Sequence, residues 1–287
     1  AYFYPLVMGH EFSGTIVKRG KKANTFEDGQ RVVAFPLIPC FKCSACKNKN
    51  WVHCTKYKYY GSRNDGGFCE YIAIKAWNLL PVDKSVDLNL AAAVEPLSIA
   101  IHTINTIKKK KGTACIIGGG FIGQAIANLL KNEKEIDSVT VIDRNESKCS
   151  IAKQQGLKSI KLDSNLIKNS TSKYSDNFDI VIECCGKEST FLLSTDICAS
   201  GGQVTWVGNI DSNLTIPEKK VSKILRKELS IKGVWNSNYQ PNKTSDWTAA
   251  LNIIKTQNWV KRLITHKVPL SEGVSIFNKV KESKKKK

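Results

Sequence analysis

Four cysteines lie close together in one loop and could bind a metal ion. They are Cys40, Cys43, Cys46 and Cys54, with the spacing C-x2-C-x2-C-x7-C. Four thiolates gathered in a short loop are typical of a closed, structural, tetrahedral zinc site. An iron–sulfur cluster is the main alternative. Four buried thiols without a metal are a poorer alternative, because they fit badly in a polar, lysine-rich loop. The loop has little apolar content, so we expect it to collapse without its ion. His53, beside Cys54, is not expected to bind the metal ion.

A second set of candidate ligands combines two neighbouring residues with a distant carboxylate. His10 and Glu11 precede a predicted strand that begins at Phe12. An imidazole beside a carboxylate can supply two zinc ligands, or one ligand and a group that orients it. Alone, such a pair is also typical of an ordinary polar surface. Glu95 lies inside the apolar helical run 91–102, where a carboxylate is costly to bury unless a cation meets it. Glu95 is therefore a candidate for a metal site.

A glycine-rich turn follows an apolar predicted strand and opens an apolar helix. Its sequence, Gly118-Gly119-Gly120-Phe121-Ile122-Gly123, has the pattern Gly-x-Gly-x-x-Gly. Gly118 permits the tight turn, Gly120 lets the backbone approach a pyrophosphate, and Gly123 lets the helix pack closely on the strand. Phe121 and Ile122 open the helix, and the free N–H groups and the dipole at this helix end favour the binding of phosphate. The turn predicts dinucleotide binding, and an ordinary strand–helix turn is the alternative.

The end of the next strand predicts which dinucleotide is preferred. Asp143 follows the strand 139–142, where an acidic side chain can hydrogen-bond the adenosine ribose. This arrangement favours NAD. Arg144, directly after Asp143, leaves room for NADP.

Three basic residues are candidates for binding an anionic group of the substrate. Arg63 lies in the glycine-rich loop 60–68 and could bind such a group through two parallel hydrogen bonds. An exposed loop arginine without a ligand is an equal alternative. Arg226 and Lys227 are the other two candidates for contacts to a substrate phosphate.

The other histidines and a pair of cysteines are interpreted as structural. His102 lies among apolar residues of its helix, and His266 lies at a predicted strand end. Cys184 and Cys185 follow a predicted strand and are expected in the core or a loop, without a redox role.

Composition and charge limit the classes of function. The 287 residues allow two domains with separate cores. The net charge is +19, but the lysine clusters are scattered, with no basic helix or groove studded with aromatic residues. We therefore predict no nucleic-acid partner and favour an anionic small molecule. No apolar run reaches membrane-spanning length. Ten cysteines, four of them in one loop, predict a reducing, cytoplasmic compartment and not a disulfide framework.

The elements that must position these residues follow from the apolar pattern. Between Gly112 and about Asn236, short apolar strands alternate with helices, which is typical of a parallel sheet covered on both faces. The predicted strands are 113–117, 139–142, 159–162, 179–183, 203–207 and 229–234. Helices are predicted at 146–155, 245–256 and 272–281, and Gly156 ends the first of them. An alternating strand is predicted after the glycine-rich loop, ending near Ile74.

Taken together, these motifs resemble the zinc-dependent medium-chain alcohol and polyol dehydrogenases. The resemblance rests on Gly9-His10-Glu11-Phe12-Ser13-Gly14, the four-cysteine loop, Glu95-Pro96 and the glycine turn, in this order. It implies an α/β fold in which a Rossmann domain, with a doubly wound parallel sheet, is inserted in a GroES-like, β-rich catalytic domain. The implied boundaries are a GroES-like domain at 1–100 with a structural zinc lobe at 36–57, a Rossmann domain at 101–237, and a return to the catalytic domain at 238–287.

The same resemblance implies the roles of the site residues. His10 would be a ligand of a catalytic zinc, and Glu11 and Glu95 would be ligands or close partners of ligands. The four cysteines would hold a structural zinc, NAD would be the cofactor, and the protein would be a homodimer or homotetramer. The stretches 36–41, 60–68 and 223–229 favour a polyol phosphate, with galactitol 1-phosphate as the first candidate substrate. Sorbitol, ribitol phosphate and threonine are the alternatives.

The resemblance also concerns both ends of the chain. Family members carry a cysteine ligand and a proton-relay hydroxyl upstream of the place where Ala1 stands. They also end in a strand that Lys284–Lys287 does not resemble. We therefore expect this sequence to be a fragment whose catalytic ion lacks a thiolate.

Two alternative hypotheses assign the chain to other classes of protein. One is a zinc ribbon that binds nucleic acid, which the cysteine spacing disfavours because ribbons pair two separated C-x2-C knuckles. The other is a non-catalytic fragment that binds zinc and a nucleotide.

Overall fold

The protein divides into two compact units, each built around its own sheet. The computed structural model describes residues 4–109, 111–132, 135–163, 174 and 176–285, so Ala1 and the last two lysines of the tail lie outside the described residues. One unit joins Ala1–Glu95 to Ile254–Lys287, and the other is Pro96–Ile253. Residues 238–253 therefore belong to the second unit.

The first unit contains short antiparallel strands. They are β1 (Ser13–Thr15), β2 (Arg31–Ala34), β3 (Leu37–Ile38), β4 (Lys58–Tyr59) and β5 (Leu79–Pro81). A three-stranded sheet has the order β1-β2-β5, and β3 pairs with β4. Val33, Phe35 and Leu37 are fully buried, so the segment that runs from β2 into β3 forms the centre of this unit. The β3–β4 pair follows directly from this centre and leads into the cysteine loop.

The second unit contains a six-stranded parallel sheet. Its strands are β6 (Gly112–Ile117), β7 (Ile136–Asp143), β8 (Lys158–Lys161), β9 (Phe178–Glu183), β10 (Cys198–Trp206) and β11 (Ser230–Gly233). The strand order is β8-β7-β6-β9-β10-β11. The chain winds outward from β6 to β8 and then returns to β9 on the other side of β6. Open parallel sheets bind ligands at the carboxyl ends of the strands, at the point where the order reverses. Here that point lies between β6 and β9.

Helices connect the strands of both units. The α-helices of the described residues are α1 (Ser44–Lys47), α2 (Leu88–Ala91), α3 (Val94–Thr106), α4 (Phe121–Lys131), α5 (Glu146–Gln154), α6 (Glu188–Ile197), α7 (Glu218–Arg226), α8 (Asp246–Thr256) and α9 (Gly273–Lys285). Fully buried side chains, such as those of Ile116, Ile117 and Ile180, form the interior of the parallel sheet. Because these strands are covered on both faces, they contain continuous apolar runs.

The predicted parallel sheet is confirmed, and two other predicted strands are wrong. All six predicted strands of the sheet overlap observed strands, and the predicted helix 146–155 ends one residue earlier. Gly156 follows that helix with φ +70°, a left-handed conformation that glycine adopts readily. The segment that ends near Ile74 belongs to none of the ladders among the described residues, and residues 264–269 around His266 are irregular. The apolar run 91–102 is divided between α2 and α3.

Candidate functional site

The four cysteines of the loop converge on one point. Cys40 lies just after β3, Cys43 caps the amino end of α1, Cys46 lies within α1, and Cys54 follows a short turn of 3-10 helix. Their Sγ atoms all lie within 4.8 Å of one another, and Cys40 and Cys46 are 3.9 Å apart. A tetrahedral zinc ion with bonds of about 2.3 Å places its sulfur ligands about 3.8 Å apart. The cysteine cluster therefore has the size that zinc requires.

Backbone N–H groups prepare this cluster for negative charge. The N–H of Cys40 donates to Cys54 Sγ at 3.2 Å, and the N–H of Cys43 donates to Cys40 Sγ at 3.4 Å. Hydrogen bonds from the backbone of Cys46 and Thr55 lower the pKa of Cys43 to about 6. Burial raises the pKa of Cys46 to about 12. Cys43 therefore loses its proton readily, whereas Cys46 becomes a thiolate when a bound cation compensates its negative charge.

An aromatic cluster packs on the same loop. The rings of Phe41, Trp51 and Trp77 meet edge to face or tilted, with centroid distances between 5.1 and 5.6 Å. Two of these rings lie in the cysteine loop and Trp77 lies outside it. The loop therefore packs on the unit through aromatic contacts.

His10, Glu11 and Glu95 also meet. His10 and Glu11 lie just before β1, and Glu95 lies in the first turn of α3. One ligand atom from each side chain lies within 4.8 Å of the other two, and His10 Nε2 is 4.0 Å from Glu11 Oε1. Glu95 is only 6% exposed. Burial, and then the charge of Glu11, raises the pKa of Glu95 to about 8. Two carboxylates and an imidazole at this separation form a donor set that suits zinc.

Tyr59 completes this cluster, and no motif in the sequence points to it. Its phenol O–H donates to Glu95 Oε1 at 3.2 Å, and its ring meets the His10 ring edge to face at 5.6 Å. Burial, and then the charge of Glu95, raises the pKa of Tyr59 well above its usual value. The phenol therefore keeps its proton and acts as a hydrogen-bond donor to the carboxylate.

Arg63 is exposed but held in place by Tyr57. Its guanidinium lies over the Tyr57 ring, with its carbon 4.0 Å from the ring centroid, and donates to the Tyr57 carbonyl and hydroxyl, each at 3.0 Å. The Tyr57 ring meets the Tyr59 ring edge to face at 6.3 Å. Arg63 is therefore connected to the His10, Glu11 and Glu95 cluster through two tyrosine rings. Among the described residues, two of its five N–H donors have hydrogen-bond partners, and the other three can bind an anion.

The glycine turn has the geometry of a phosphate-binding turn. It follows β6, and Gly118 has φ +107°. A Cβ atom on Gly123 would lie 1.8 Å from the Gly118 carbonyl oxygen, so any other residue there would clash. A Cβ atom on Gly120 would point into open space at the amino end of α4, a site where an anion can approach free N–H groups. Phe121 and Ile122 supply the first N–H groups of that helix.

Asp143 lies beside this turn and accepts a hydrogen bond from its backbone. It ends β7 and is 7% exposed; its carboxylate accepts hydrogen bonds from the N–H groups of Gly119 and Asn145, both at 2.8 Å. Lys148 lies 3.4 Å from the same carboxylate, and Arg144 is exposed beside it. A carboxylate has about four lone-pair sites. Asp143 can therefore still accept a hydrogen bond from a ribose hydroxyl.

The structure argues against the predicted substrate role of Arg226 and Lys227. Arg226 is the last residue of α7 and Lys227 follows it before β11, at the amino edge of the parallel sheet, whereas the glycine turn lies at the carboxyl edge. The Lys227 ammonium is 7% exposed and donates to the carbonyls of Asp196 and Cys198 at 3.0 and 2.5 Å. Arg226 is exposed and donates to Ser222 Oγ at 3.2 Å. Lys227 is thus a structural cation.

The other histidines have local partners. His53 contacts Asn50 Oδ1 at 2.7 Å, and His266 contacts Thr265 Oγ1 at 2.9 Å. His102 contacts the buried Asp246 carboxylate at 2.9 Å. Cys184 and Cys185 follow β9 and are free thiols. Burial raises the pKa of Cys185 to about 12, which disfavours a reactive thiolate.

Comparison with known proteins places this arrangement in a family. Residues 1–84 match the family model "Alcohol dehydrogenase GroES-like domain", and residues 121–256 match "Zinc-binding dehydrogenase". Galactitol 1-phosphate 5-dehydrogenase of Escherichia coli is 30% identical over 93% of this chain and 78% of its own length. The chain belongs to the zinc-dependent alcohol and polyol dehydrogenases. This family is the one that the sequence motifs of the dehydrogenase resemble.

Two further comparisons agree with the fold and family of the dehydrogenase. A sorbitol dehydrogenase of Halalkalibacterium halodurans is 29% identical over 96% of this chain and 80% of its own. The crystal structure of galactitol-1-phosphate dehydrogenase from Escherichia coli superposes with a TM-score of 0.79, at 29% identity, over 92% of this chain and 76% of that chain. Relatives with different polyol names are thus similarly close, so relationship alone does not fix the substrate. Among the described residues of the dehydrogenase, no helix is long and apolar enough to cross a membrane.

Proposed function

We propose that this dehydrogenase oxidises a secondary hydroxyl of a polyol or polyol phosphate and transfers the hydride to NAD. Galactitol 1-phosphate, oxidised to tagatose 6-phosphate, is the first substrate to test. The observation that carries the proposal is the convergence of His10, Glu11 and the buried Glu95 within 4.8 Å, in a chain of this family. The C–OH group becomes C=O, the carbon gives its hydride to the nicotinamide ring, and the hydroxyl proton is released.

Each part of this reaction has candidate residues. His10, Glu11 and Glu95 would hold the catalytic zinc, and the four cysteines would hold a structural zinc. A zinc ion bound at the first site would act as a Lewis acid and favour loss of the hydroxyl proton. The N–H groups from Gly120 to Gly123 would bind the pyrophosphate of NAD, and Asp143 would bind its ribose.

A substrate screen tests this function. The chain, supplied with zinc, is incubated with NAD or NADP and with galactitol 1-phosphate, galactitol, sorbitol, ribitol phosphate or threonine, and NADH or NADPH absorbance is followed. We expect turnover of at least one polyol or polyol phosphate, faster with NAD than with NADP. Tight NADH binding without turnover of any of these compounds would favour a non-catalytic nucleotide-binding protein instead.

Arg63→Ala tests whether the substrate carries a phosphate. We expect this variant to raise the KM for galactitol 1-phosphate about 10- to 100-fold, since a hydrogen bond to a charged group contributes about 1.5–3 kcal/mol. The KM for unphosphorylated galactitol should stay unchanged. Steady-state kinetics with both substrates make this measurement.

Two further variants sharpen the Arg63 test. Arg63→Lys should recover only part of the affinity, because lysine keeps the charge but loses the two-pronged geometry. Arg226→Ala is the matched control and should leave both KM values unchanged, since Arg226 lies at the amino edge of the sheet. Equal effects of Arg63→Ala on both substrates would remove the phosphate role.

A further inference from the structure

Tyr59 touches two of the three candidate zinc ligands at once. Its hydroxyl donates to Glu95 Oε1 at 3.2 Å, and the edge-to-face contact of its ring with His10 has a centroid distance of 5.6 Å. Glu95 comes from α3 and His10 from the segment before β1, so the ligands belong to elements that are far apart in the chain. Tyr59 contacts one candidate ligand from each of these elements.

The backbone fixes Tyr59 before any ligand binds. Tyr59 belongs to β4 and pairs with Leu37 of β3, and Leu37 is fully buried. Its carbonyl accepts hydrogen bonds from the N–H groups of Arg63 and Asn64 at 2.9 and 3.0 Å. The strand that carries Tyr59 also starts four residues after Cys54, the last cysteine of the cluster. Tyr59 is therefore held by its pairing with β3 and by the following turn, and the cysteine loop connects the two paired strands.

A fixed hydroxyl donor restricts a carboxylate in a way that metal binding requires. A buried glutamate has several rotatable bonds, and a hydrogen bond to one carboxylate oxygen sets the plane of the group. The ring contact limits the orientation of the His10 imidazole in the same way. Partners of this kind increase metal affinity because they orient the ligands without touching the metal.

We propose that Tyr59 is a positioning residue that holds Glu95 and His10 in the geometry for a divalent cation. This proposal rests on the proposed function, because it assumes that His10, Glu11 and Glu95 bind that cation. Tyr59 acts through the ligands and does not itself bind the ion.

Tyr59→Phe separates the two contacts of this side chain. The variant keeps the ring beside His10 and removes only the hydroxyl that donates to Glu95. Tyr60→Phe is the matched control, because Tyr60 is the next residue, is buried, and uses its hydroxyl to accept the N–H of Lys75 at 3.3 Å. That control removes a phenol oxygen from the same segment but leaves the Glu95 contact intact.

Cobalt binding provides the readout, since Co²⁺ replaces Zn²⁺ and reports its ligands. Ions in the cysteine cluster show thiolate-to-cobalt charge transfer, whereas ions bound by one nitrogen and two carboxylates do not. In the wild-type chain we expect two Co²⁺ ions, one of each kind. Tyr59→Phe should weaken only the second ion, by about 10- to 100-fold in competition with a chelator. Tyr60→Phe should change neither ion.

The outcomes distinguish this inference from the proposed function. A second Co²⁺ that binds to wild type and to Tyr59→Phe with equal affinity would overturn the role of Tyr59 and leave the zinc site standing. A wild-type chain that binds only the thiolate-ligated ion would overturn both. Loss of both ions in Tyr59→Phe, together with a lower thermal midpoint, would show a folding role and would also overturn the proposal.

Discussion

Replacing Cys46 by serine is expected to remove one bound zinc per chain and to unfold the loop from Cys40 to Cys54. Metal ligation contributes on the order of 10–16 kcal/mol in zinc-finger peptides, whereas the aromatic contacts of Phe41 and Trp51 with Trp77 that also hold this loop contribute about 0.5–1.5 kcal/mol per pair. Its regular structure consists of the four-residue α1 and a three-residue turn. Cys46 is the ligand to change because it is buried and lies within α1.

Two measurements report the loss. The zinc content of the purified chain should fall by one ion. Tryptophan fluorescence should shift to longer wavelength, because Trp51 and Trp77 lose their contact, now 5.6 Å between ring centroids.

Cys69→Ser is the matched control, since Cys69 is a partly buried free thiol outside the cluster. A Cys46→Ser chain with unchanged zinc content and fluorescence would contradict a metal role for the loop. Iron in place of zinc in the wild-type chain would identify an iron–sulfur cluster.

The effect of Cys46→Ser should reach the other candidate zinc site. β4 starts four residues after Cys54 and carries Tyr59, which holds Glu95 at 3.2 Å. The loop connects the paired strands β3 and β4, so its unfolding should weaken the pairing that fixes Tyr59. A cysteine loop without a chemical role of its own would then be required for activity, because it helps to position a residue of the candidate zinc cluster.

The parallel sheet could be predicted because its signals are local. A strand covered on both faces needs a short continuous apolar run, and the run that ends at Ile117 leads directly into the glycine turn. Gly123 could be predicted as well, since the helix packs so closely that a Cβ atom would lie 1.8 Å from a backbone oxygen. The sequence predicts Asp143 at the ribose, and the hydrogen bond that its carboxylate accepts from the Gly119 N–H places it beside the turn.

The failures have physical causes that differ between residues. The alternating segment near Ile74 shows that period-two hydrophobicity selects a face but not a partner strand. Arg226 ends α7, and Lys227 follows it before β11. A loop that leads from a helix into a parallel strand lies at the amino edge of the sheet. Topology could therefore have excluded them, whereas charge alone suggested an anion site.

Tyr59 could not be found from the sequence because its partner is distant. It lies 36 residues before Glu95 in the chain, and nothing in a tyrosine-rich segment indicates which hydroxyl meets a buried carboxylate. The nearby Tyr57 meets Arg63 instead. The roles assigned to His10, Glu11 and Glu95, and the homodimer or homotetramer, stay predictions.

His10→Ala is expected to decrease kcat/KM about 1000-fold and to leave NADH affinity unchanged. His10 is the only nitrogen donor of the cluster with Glu11 and Glu95, so its removal leaves two carboxylates, which bind zinc poorly. Lewis-acid assistance contributes several kcal/mol, and about 4 kcal/mol corresponds to a factor of about 1000. NADH affinity should persist because the glycine turn and Asp143 belong to the parallel sheet of the other unit.

The measurement combines turnover, zinc content and NADH titration on one preparation. The catalytic zinc should be lost while the cysteine cluster keeps its ion, so the zinc content falls by one without the fluorescence shift expected for Cys46→Ser. His266→Ala is the matched control, since His266 is exposed, lies outside the cluster and has its Nδ1 2.9 Å from Thr265 Oγ1. A His10→Ala chain that retains turnover within about twofold of wild type would show that the chemistry does not depend on this imidazole. The loss of turnover with intact NADH binding would instead separate the metal-dependent step from nucleotide binding, because each depends on residues of a different unit.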